Sequence, residues 1–422
     1  MVATVRNLTS ASATADYLRR DGGYYTAADA ESDEGRAKNA EHRNGSFWHG
    51  KGAMALGLRP DLHVAAGKFE SLLAGHVIGT PIRLGRKRGG AREHRPGLDI
   101  TFSAPKSVSL AALLPSGRHP HGDRGVVHAH DEAVRATLDW IEGNLLETRG
   151  WDAATRRRPR ISAPHMVAAT FRHVASRNLD PQLHTHAVIA NMTRDKQGRW
   201  RSIEATLLHR HARQIGAYYR NELSRRLMER GYDVAPAMAG RMPSFEIAGY
   251  DRTLRNAFST RRAEILDYMR ERGWDHSQSS AQMATLATRR RKDEPLRAML
   301  ETVWAERARE LGLGADLAAA RPCRPARTAS ALSALEIVAR TTERLEERQS
   351  VFAAHDLETL ALAHSPGRHT LDEIRQAVGQ LVRDGHLVEA ALRRADRAFV
   401  TDRTLKAERS VIAMMKAGIG QA

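Results

Sequence analysis

The 422-residue chain has one cysteine, Cys323, so it can form no intrachain disulfide and no CxxC metal site. Aromatic residues make up only 5% of it against 41% hydrophobic residues, so its cores must be built mainly from Ala, Leu and Val. No apolar run approaches the length of a membrane span. The first twenty residues, MVATVRNLTSASATADYLRR, lack the apolar centre of a signal peptide, and a cytoplasmic location is the simplest expectation. There is no internal repeat, no low-complexity tract and no GxxxxGK[ST] phosphate loop, so no ATPase activity is expected.

Acidic charge is in short supply. Sixty-six Lys and Arg face forty-nine Asp and Glu, a net +17 with a pI near 10.5. An excess of this size points to a polyanion, and nucleic acid is the expected partner. Part of it is clustered, at 83–95 (RLGRKRGGAREHR), 156–160 (RRRPR) and 289–292 (RRRK).

The stretch 171–191, FRHVASRNLDPQLHTHAVIAN, carries the chemistry. Leu183 to Ala190 reads as a strand. Side chains alternate along a strand, so His184 and His186 share one face and Thr185 takes the other. Met166 to His173 reads as a second strand, and 175–182, with Asn178, Asp180 and Pro181, as the turn between them. An antiparallel return brings His173 beside the pair. Three neutral imidazoles suit one divalent ion with positions left open for water or substrate. The bland alternative is a polar strand edge.

Upstream, Leu98 to Phe102 reads as a strand with Asp99 inside it. A carboxylate is disfavoured there, so Asp99 is expected either to orient a metal-binding imidazole or to take a proton from a tyrosine. Pro105 ends this strand, Ser107 is a candidate cap for the following helix, and Lys106 suits a phosphate contact. Three of the eight tyrosines, Tyr17, Tyr24 and Tyr25, fall within nine residues, and a deprotonated phenol can attack a phosphodiester. A helix is expected over 126–147. His128 and His130 on it point to different sides and are read as solvated. Single helices are expected over 207–231, where Tyr218 and Tyr219 read as packing residues, and over 251–272. A hairpin with Gly198 at its tip is expected at 193–202.

Residues 1–311 are taken as one domain and 312–328, rich in Gly, Ala, Pro and Arg, as a linker. Residues 329–422 read as three helices followed by a two-stranded wing, a winged-helix-like module.

Several separated motifs resemble those of MobF-class conjugative relaxases, members of the HUH endonuclease superfamily. They are DPQLHTHAVIAN at 180–191 with His173 upstream, HRPGLDITFSAPKSVS at 94–109, GKGAMALGL at 50–58, FSTRRAEI at 258–265 and the N-terminal tyrosines. The resemblance spans roughly residues 1–310. It implies an α+β fold whose five-stranded antiparallel sheet, flanked by helices, carries His173, His184 and His186 around one divalent ion such as Mg or Mn. It implies site- and strand-specific DNA nicking at a plasmid origin of transfer through a 5′-phosphotyrosine intermediate. Tyr17 occupies the first nucleophile's position, Tyr24 and Tyr25 those of the second pair, and Asp99 that of the family aspartate. Leu18 stands where the family often has a second adjacent tyrosine, which leaves the division of labour open. The implied partners are single-stranded and hairpin DNA, held in part by Arg86, Lys87, Arg88 and Lys106. Relaxosome accessory proteins and a type IV coupling protein are implied too, with passage into a recipient cell alongside the DNA. The tail resembles the lead-in to the family's helicase half, without its phosphate loop. The competing readings are a DNA-binding replication or partition factor with structural histidines and a metal hydrolase that nicks without a covalent link.

Overall fold

The computed structural model describes residues 3–11, 14, 46–60, 64–89, 91–115, 119, 122–239, 242–275, 277–288, 297–312, 332–392 and 397–418. The chain divides into two compact units. One holds Met1–Ala212 and Glu246–Pro322, the other Arg213–Phe245 and Cys323–Ala422.

The first unit is built on a five-stranded sheet. Its strands are β1 (Ala3–Asn7), β2 (Ser46–His49), β3 (Gly97–Ser103), β4 (Ala168–Ala175) and β5 (Pro181–Ala190). Their order is β1-β3-β5-β4-β2, and every neighbouring pair is antiparallel. The α+β class and this sheet match the sequence-based expectation. The central strand, β5, has the most apolar run, as burial on both faces demands.

The pleat divides the sheet's two faces. One face carries Ala169, Val188 and Ala190 at one end, packed with Trp48, Phe69, Leu72 and Leu73. The helix Ala66–Leu73 supplies the last three of these. The same face, two and four residues further along β5, becomes His186 and His184. On the opposite face Leu98, Ile100, Phe102, Leu183 and Ile189 are fully or nearly fully buried. Two helices are tied to the buried strands: α1 (Lys106–Leu113) and α2 (Arg124–Asn144). Ser109 Oγ on α1 accepts from the Leu183 amide at 3.0 Å.

Several local expectations are corrected. Ser107 does not cap α1. Its hydroxyl is buried and accepts from the Ile247 amide at 2.7 Å, while its own amide donates to Glu246 Oε2 at 2.9 Å. The basic stretch 83–95 is a short hairpin, Arg86–Arg88 paired with Ala91–Glu93. The stretch 251–272 is two helices, Arg252–Ala257 and α3 (Thr260–Glu271), broken at Phe258 and Ser259. Residues 207–231 likewise form Thr206–Arg210 and Ala212–Glu229. A further helix, α4 (Arg297–Glu310), belongs to the first unit. The hairpin around Gly198 is present.

In the second unit, three helices (Ala334–Glu346, Ala354–His364, Leu371–Arg383) accompany a three-stranded sheet. The strand order is Phe352–Ala353, Ala398–Thr401, Leu387–Ala390. Ser333–Glu336 and Thr370–Glu373 form capping boxes on the first and third helices. The helix Ala212–Glu229 holds the turn before the third helix through Asn221. This side chain donates to the His369 carbonyl at 2.9 Å and accepts from the Gly367 amide at 2.8 Å. Tyr219 is buried on that helix, and burial pushes the Tyr218 phenol up to about 12, so both serve packing.

Gly97 opens β3 at φ 150°, and a Cβ there would lie 2.0 Å from the Ile189 carbonyl oxygen. Gly97→Ala should therefore lower the unfolding free energy by at least about 2 kcal/mol, measured by urea denaturation. A midpoint equal to wild type would show that the β3–β5 approach can relax.

Candidate active site

The register of β4 and β5 sets the site. His173 is the direct cross-strand partner of His184, and Phe171 that of His186. On the other side β3 pairs Thr101 with His186, Ser103 with His184 and Asp99 with Val188. His173, His184, His186, Asp99, Thr101 and Ser103 therefore stand on one face. The three imidazole centroids form a nearly equilateral triangle of 5.3, 5.3 and 5.5 Å. His173 is 4% exposed and His186 9%, so two of the rings are buried.

Hydrogen bonds fix which nitrogen His184 and His186 present. His184 Nδ1 lies 2.9 Å from the Gln182 carbonyl, which can only accept, so Nδ1 carries the proton and Nε2 the lone pair. His186 Nδ1 lies 2.8 and 3.1 Å from the two oxygens of Asp99, giving the same tautomer. Thr101 Oγ1 is 3.2 Å from that Nδ1 and donates to Asp99 Oδ2 at 3.4 Å. Asp99 thus lies in hydrogen-bond contact with the His186 imidazole.

Three imidazoles are a donor set suited to one small divalent ion. With an ion–nitrogen distance of ~2.1 Å and ~1.1 Å from nitrogen to ring centre, three imidazoles have centroids about 5.2 Å apart at the tetrahedral angles zinc takes and about 4.5 Å apart at the right angles of an octahedral ion. The backbone thus sets a ligating separation. As the side chains stand, however, no group of three or more His, Cys, Asp or Glu among the described residues is arranged to hold an ion. The His173 and His184 rings stand within 22° of parallel.

Beneath the sheet, α2 supports the triad. His130, expected to be solvated, is fully buried, and its Nε2 is 2.7 Å from Thr185 Oγ1, the residue between the two β5 histidines. Burial, then the Arg172 charge, holds its imidazole well below the ordinary histidine range, so it stays neutral. Next to it Asp131 pairs with Arg172, the cross-strand partner of Thr185, and both ends are about nine-tenths buried. His128 is exposed beside Glu132, as expected. The signal for His130 was in the sequence: it lies four residues from both Val126 and Val134, which define the buried stripe.

Arg86 and Lys87 are exposed on their hairpin, and Arg88 is the third residue of the same strand. Lys106 is turned inward instead. Its ammonium donates to the Pro181 carbonyl at 2.8 Å, and burial lowers its pKa to about 8, opposed by Asp180 and Glu246. Tyr17, Tyr24 and Tyr25 lie outside the described residues.

Fold and site together define a protein that presents a histidine triad, with an aspartate hydrogen-bonded to one ring, from a five-stranded antiparallel sheet. The TrwC relaxase family model matches residues 10–311, and the chain belongs to that family. The multifunctional conjugation protein TraI of Escherichia coli is 34% identical over 278 residues, covering 64% of this chain. TraI of E. coli strain K12 is 32% identical over 277 residues, again 64% of the chain. The chain spans about 15% of the length of these relatives. Among solved structures, the conjugative relaxase TrwC in complex with oriT DNA, copper-bound, is 34% identical with a TM-score of 0.62. The match covers 74% of this chain and 98% of that one. TrwC complexed with a 27-mer DNA comprising the recognition hairpin and the cleavage site gives 34%, a TM-score of 0.60 and the same coverage.

Arg172→Met removes the charge that balances Asp131. It should cost about 3–5 kcal/mol, since a buried carboxylate is left unpaired, and a thermal melt reads this directly. A loss below about 1 kcal/mol would mean that water reaches Asp131.

Proposed function

We propose that this chain is a conjugative relaxase: a metal-dependent transesterase that nicks one strand of DNA at a plasmid origin of transfer. The observation that carries the reading is the triangle of His173, His184 and His186 with Asp99 locked behind His186. Family membership and the DNA-bound TrwC structures support it.

His173, His184 and His186 would hold one divalent ion, such as magnesium or manganese. When bound, that ion supplies Lewis-acid stabilisation of charge developing on the scissile phosphate. The chain's own residues do the rest. Asp99 keeps the proton of His186 on Nδ1, so Nε2 remains a ligand. Tyr17 is the first nucleophile: its phenol gives up its proton, Oη bonds to phosphorus, the P–O3′ bond breaks, and O3′ takes up a proton and leaves as a hydroxyl. The phosphotyrosine link conserves the bond energy: a 3′-hydroxyl freed by a second cut at Tyr24 or Tyr25 bonds to that phosphorus, the Tyr17 Oη–P bond breaks, and the strand is rejoined without ATP. The tether allows this. Asn7 is the partner of Leu98, three residues along β3 from Thr101, or ~10 Å. The ten residues from Asn7 to Tyr17 would span at most about 33 Å if fully extended, and the helical turn that joins Thr14 to the Ser10 carbonyl shortens that reach.

In this reading residues 1–311 form the nicking domain, 312–328 a linker and 329–422 a winged-helix-like module. The helix–strand order of the second unit supports the last assignment. The module is electrically neutral: residues 332–418 hold thirteen Lys and Arg and thirteen Asp and Glu. The chain's +17 therefore lies outside it, and strand grip is assigned to residues such as Arg86, Lys87 and Arg88. Lys106, already engaged with Pro181, would reach a phosphate only after releasing that carbonyl. Origin-of-transfer DNA, single-stranded and hairpin, is the proposed partner, with relaxosome accessory proteins and a type IV coupling protein beside it. No helix among the described residues is long and apolar enough to cross a membrane. We assign the protein to the cytoplasm, with passage to a recipient cell on the DNA.

A labelled origin strand incubated with protein and Mn²⁺, then run on a denaturing gel, should leave label on the protein. Tyr17→Phe should lose that band while binding stays within about twofold, since only a hydroxyl is removed. The paired change His184→Ala and His186→Ala should lose cleavage. Cleaved strand without labelled protein would favour a simple hydrolase, and tight binding without cleavage would favour a DNA-binding factor with structural histidines. Separately, Arg86→Ala with Lys87→Ala should reduce the slope of log K against log[salt] by about 1.4, as expected for two lost single-strand phosphate contacts. Arg383→Ala with Arg409→Ala, exposed on the neutral module, should leave it unchanged.

A further inference from the structure

His173 and His184 form the last regular pair of their hairpin. Beyond them the register shifts, and Ala175 pairs with Pro181 across the irregularity. Sheet pairing therefore stops holding the hairpin just where two of the three imidazoles project. The turn that follows is strained, with Leu179 at φ 60°. It is closed by the Ser176 amide donating to the Asp180 carbonyl at 2.8 Å and by the Asp180 amide donating to Ser176 Oγ at 3.1 Å.

What fixes this turn comes from much later in the chain. Asp180 is 2% exposed. Its Oδ2 accepts from Thr260 Oγ1 at 2.8 Å and, more weakly, from the Arg261 amide at 3.4 Å. These groups open α3, whose own N-cap residue, Ser259, makes no side-chain cap. Asp180 thus serves as the cap of α3 from across the fold, meeting the unsatisfied amide end and the positive pole of the helix. Asn178 Nδ2 donates to Glu264 Oε2 at 3.0 Å, one turn further along α3. Glu264 is in turn held by Arg261 at 2.8 Å. From α4, Trp304 Nε1 donates to the Leu179 carbonyl at 2.6 Å, and Arg307 lies 3.6 Å from Asp180 Oδ1. Trp304 is 2% exposed. The FSTRRAEI run, Phe258 to Ile265, thereby acquires a physical role: its Thr260, Arg261 and Glu264 face the histidine turn.

We infer that Asp180 and Trp304 are positioning residues for His173 and His184, with α3 and α4 acting as a clamp on the turn that spaces the two imidazoles. This rests on the reading of the histidines as metal ligands. Releasing the clamp lets the turn relax out of its left-handed residue, and the bulge next to His173 transmits the shift to both rings.

The test is Mn²⁺ affinity of the full chain, measured from the free-ion electron paramagnetic resonance signal, alongside thermal unfolding. Trp304→Phe keeps an aromatic ring but removes the N–H together with part of the buried indole, so its affinity is read beside its melting temperature. Asp180→Ala removes the cap, whereas Asp180→Asn keeps an oxygen that accepts from Thr260. We expect roughly tenfold weaker Mn²⁺ binding in Trp304→Phe and Asp180→Ala, at the lower edge for loss of a ligand-orienting partner, and recovery to within about threefold in Asp180→Asn. Lowered melting temperatures with wild-type Mn²⁺ affinity would overturn the clamp while leaving the metal site intact. Absence of Mn²⁺ binding by the wild-type chain would overturn the metal reading beneath it.

Discussion

The antiparallel register of Ala168–Ala175 against Pro181–Ala190 is the constraint on which the rest depends. Strand geometry puts His184 and His186 on one face, and register puts His173 directly across from His184. A slip of one residue would send every one of these side chains to the other face. The molecule guards against it from several directions. Gly97–Ser103 pairs along the far side of the central strand, and α2 engages Thr185 and Arg172 from beneath. The turn itself is gripped by α3 and α4.

These supports differ in kind. Asp99 acts on the proton of one ring and so determines its chemistry. His130 acts through a hydroxyl on the reverse face and influences only where the strand lies. Arg172 and Asp131 neutralise each other in a space that neither could occupy alone. Polar groups flank the histidine strands on both faces, whereas the other end of the sheet is sealed by Trp48, Phe69, Leu72 and Leu73. One end of the sheet supplies cohesion and the other supplies chemistry.

Much of this was legible in the sequence because it depends on period and spacing. A two-residue spacing in a β-branched run fixes a shared face, and a turn rich in Asn, Asp and Pro fixes an antiparallel return. The sheet, the triad and Asp99 followed from such local signals together with the motif resemblance. What was missed depends on packing between distant segments. His130 was read as solvated although the spacing from Val126 to Val134 marks the buried stripe of its helix. Ser107 looked like a cap because it follows Pro105, yet α1 is buried almost throughout, and the hydroxyl was recruited by residue 247. The break at Phe258 and Ser259 is invisible to periodicity because Phe258 is itself core. That Asp180 caps a helix eighty residues later has no local signature at all.

An all-imidazole donor set adds no negative charge. In the proposed site a divalent cation held by His173, His184 and His186 would keep both of its positive charges, with the Asp99 carboxylate set behind the His186 ring. Charge neutrality at that point has to be completed by something that arrives from outside. A phosphodiester, which carries one negative charge and offers two unbridged oxygens, is a natural counterpart, so the proposed site would favour an anionic guest over a neutral one.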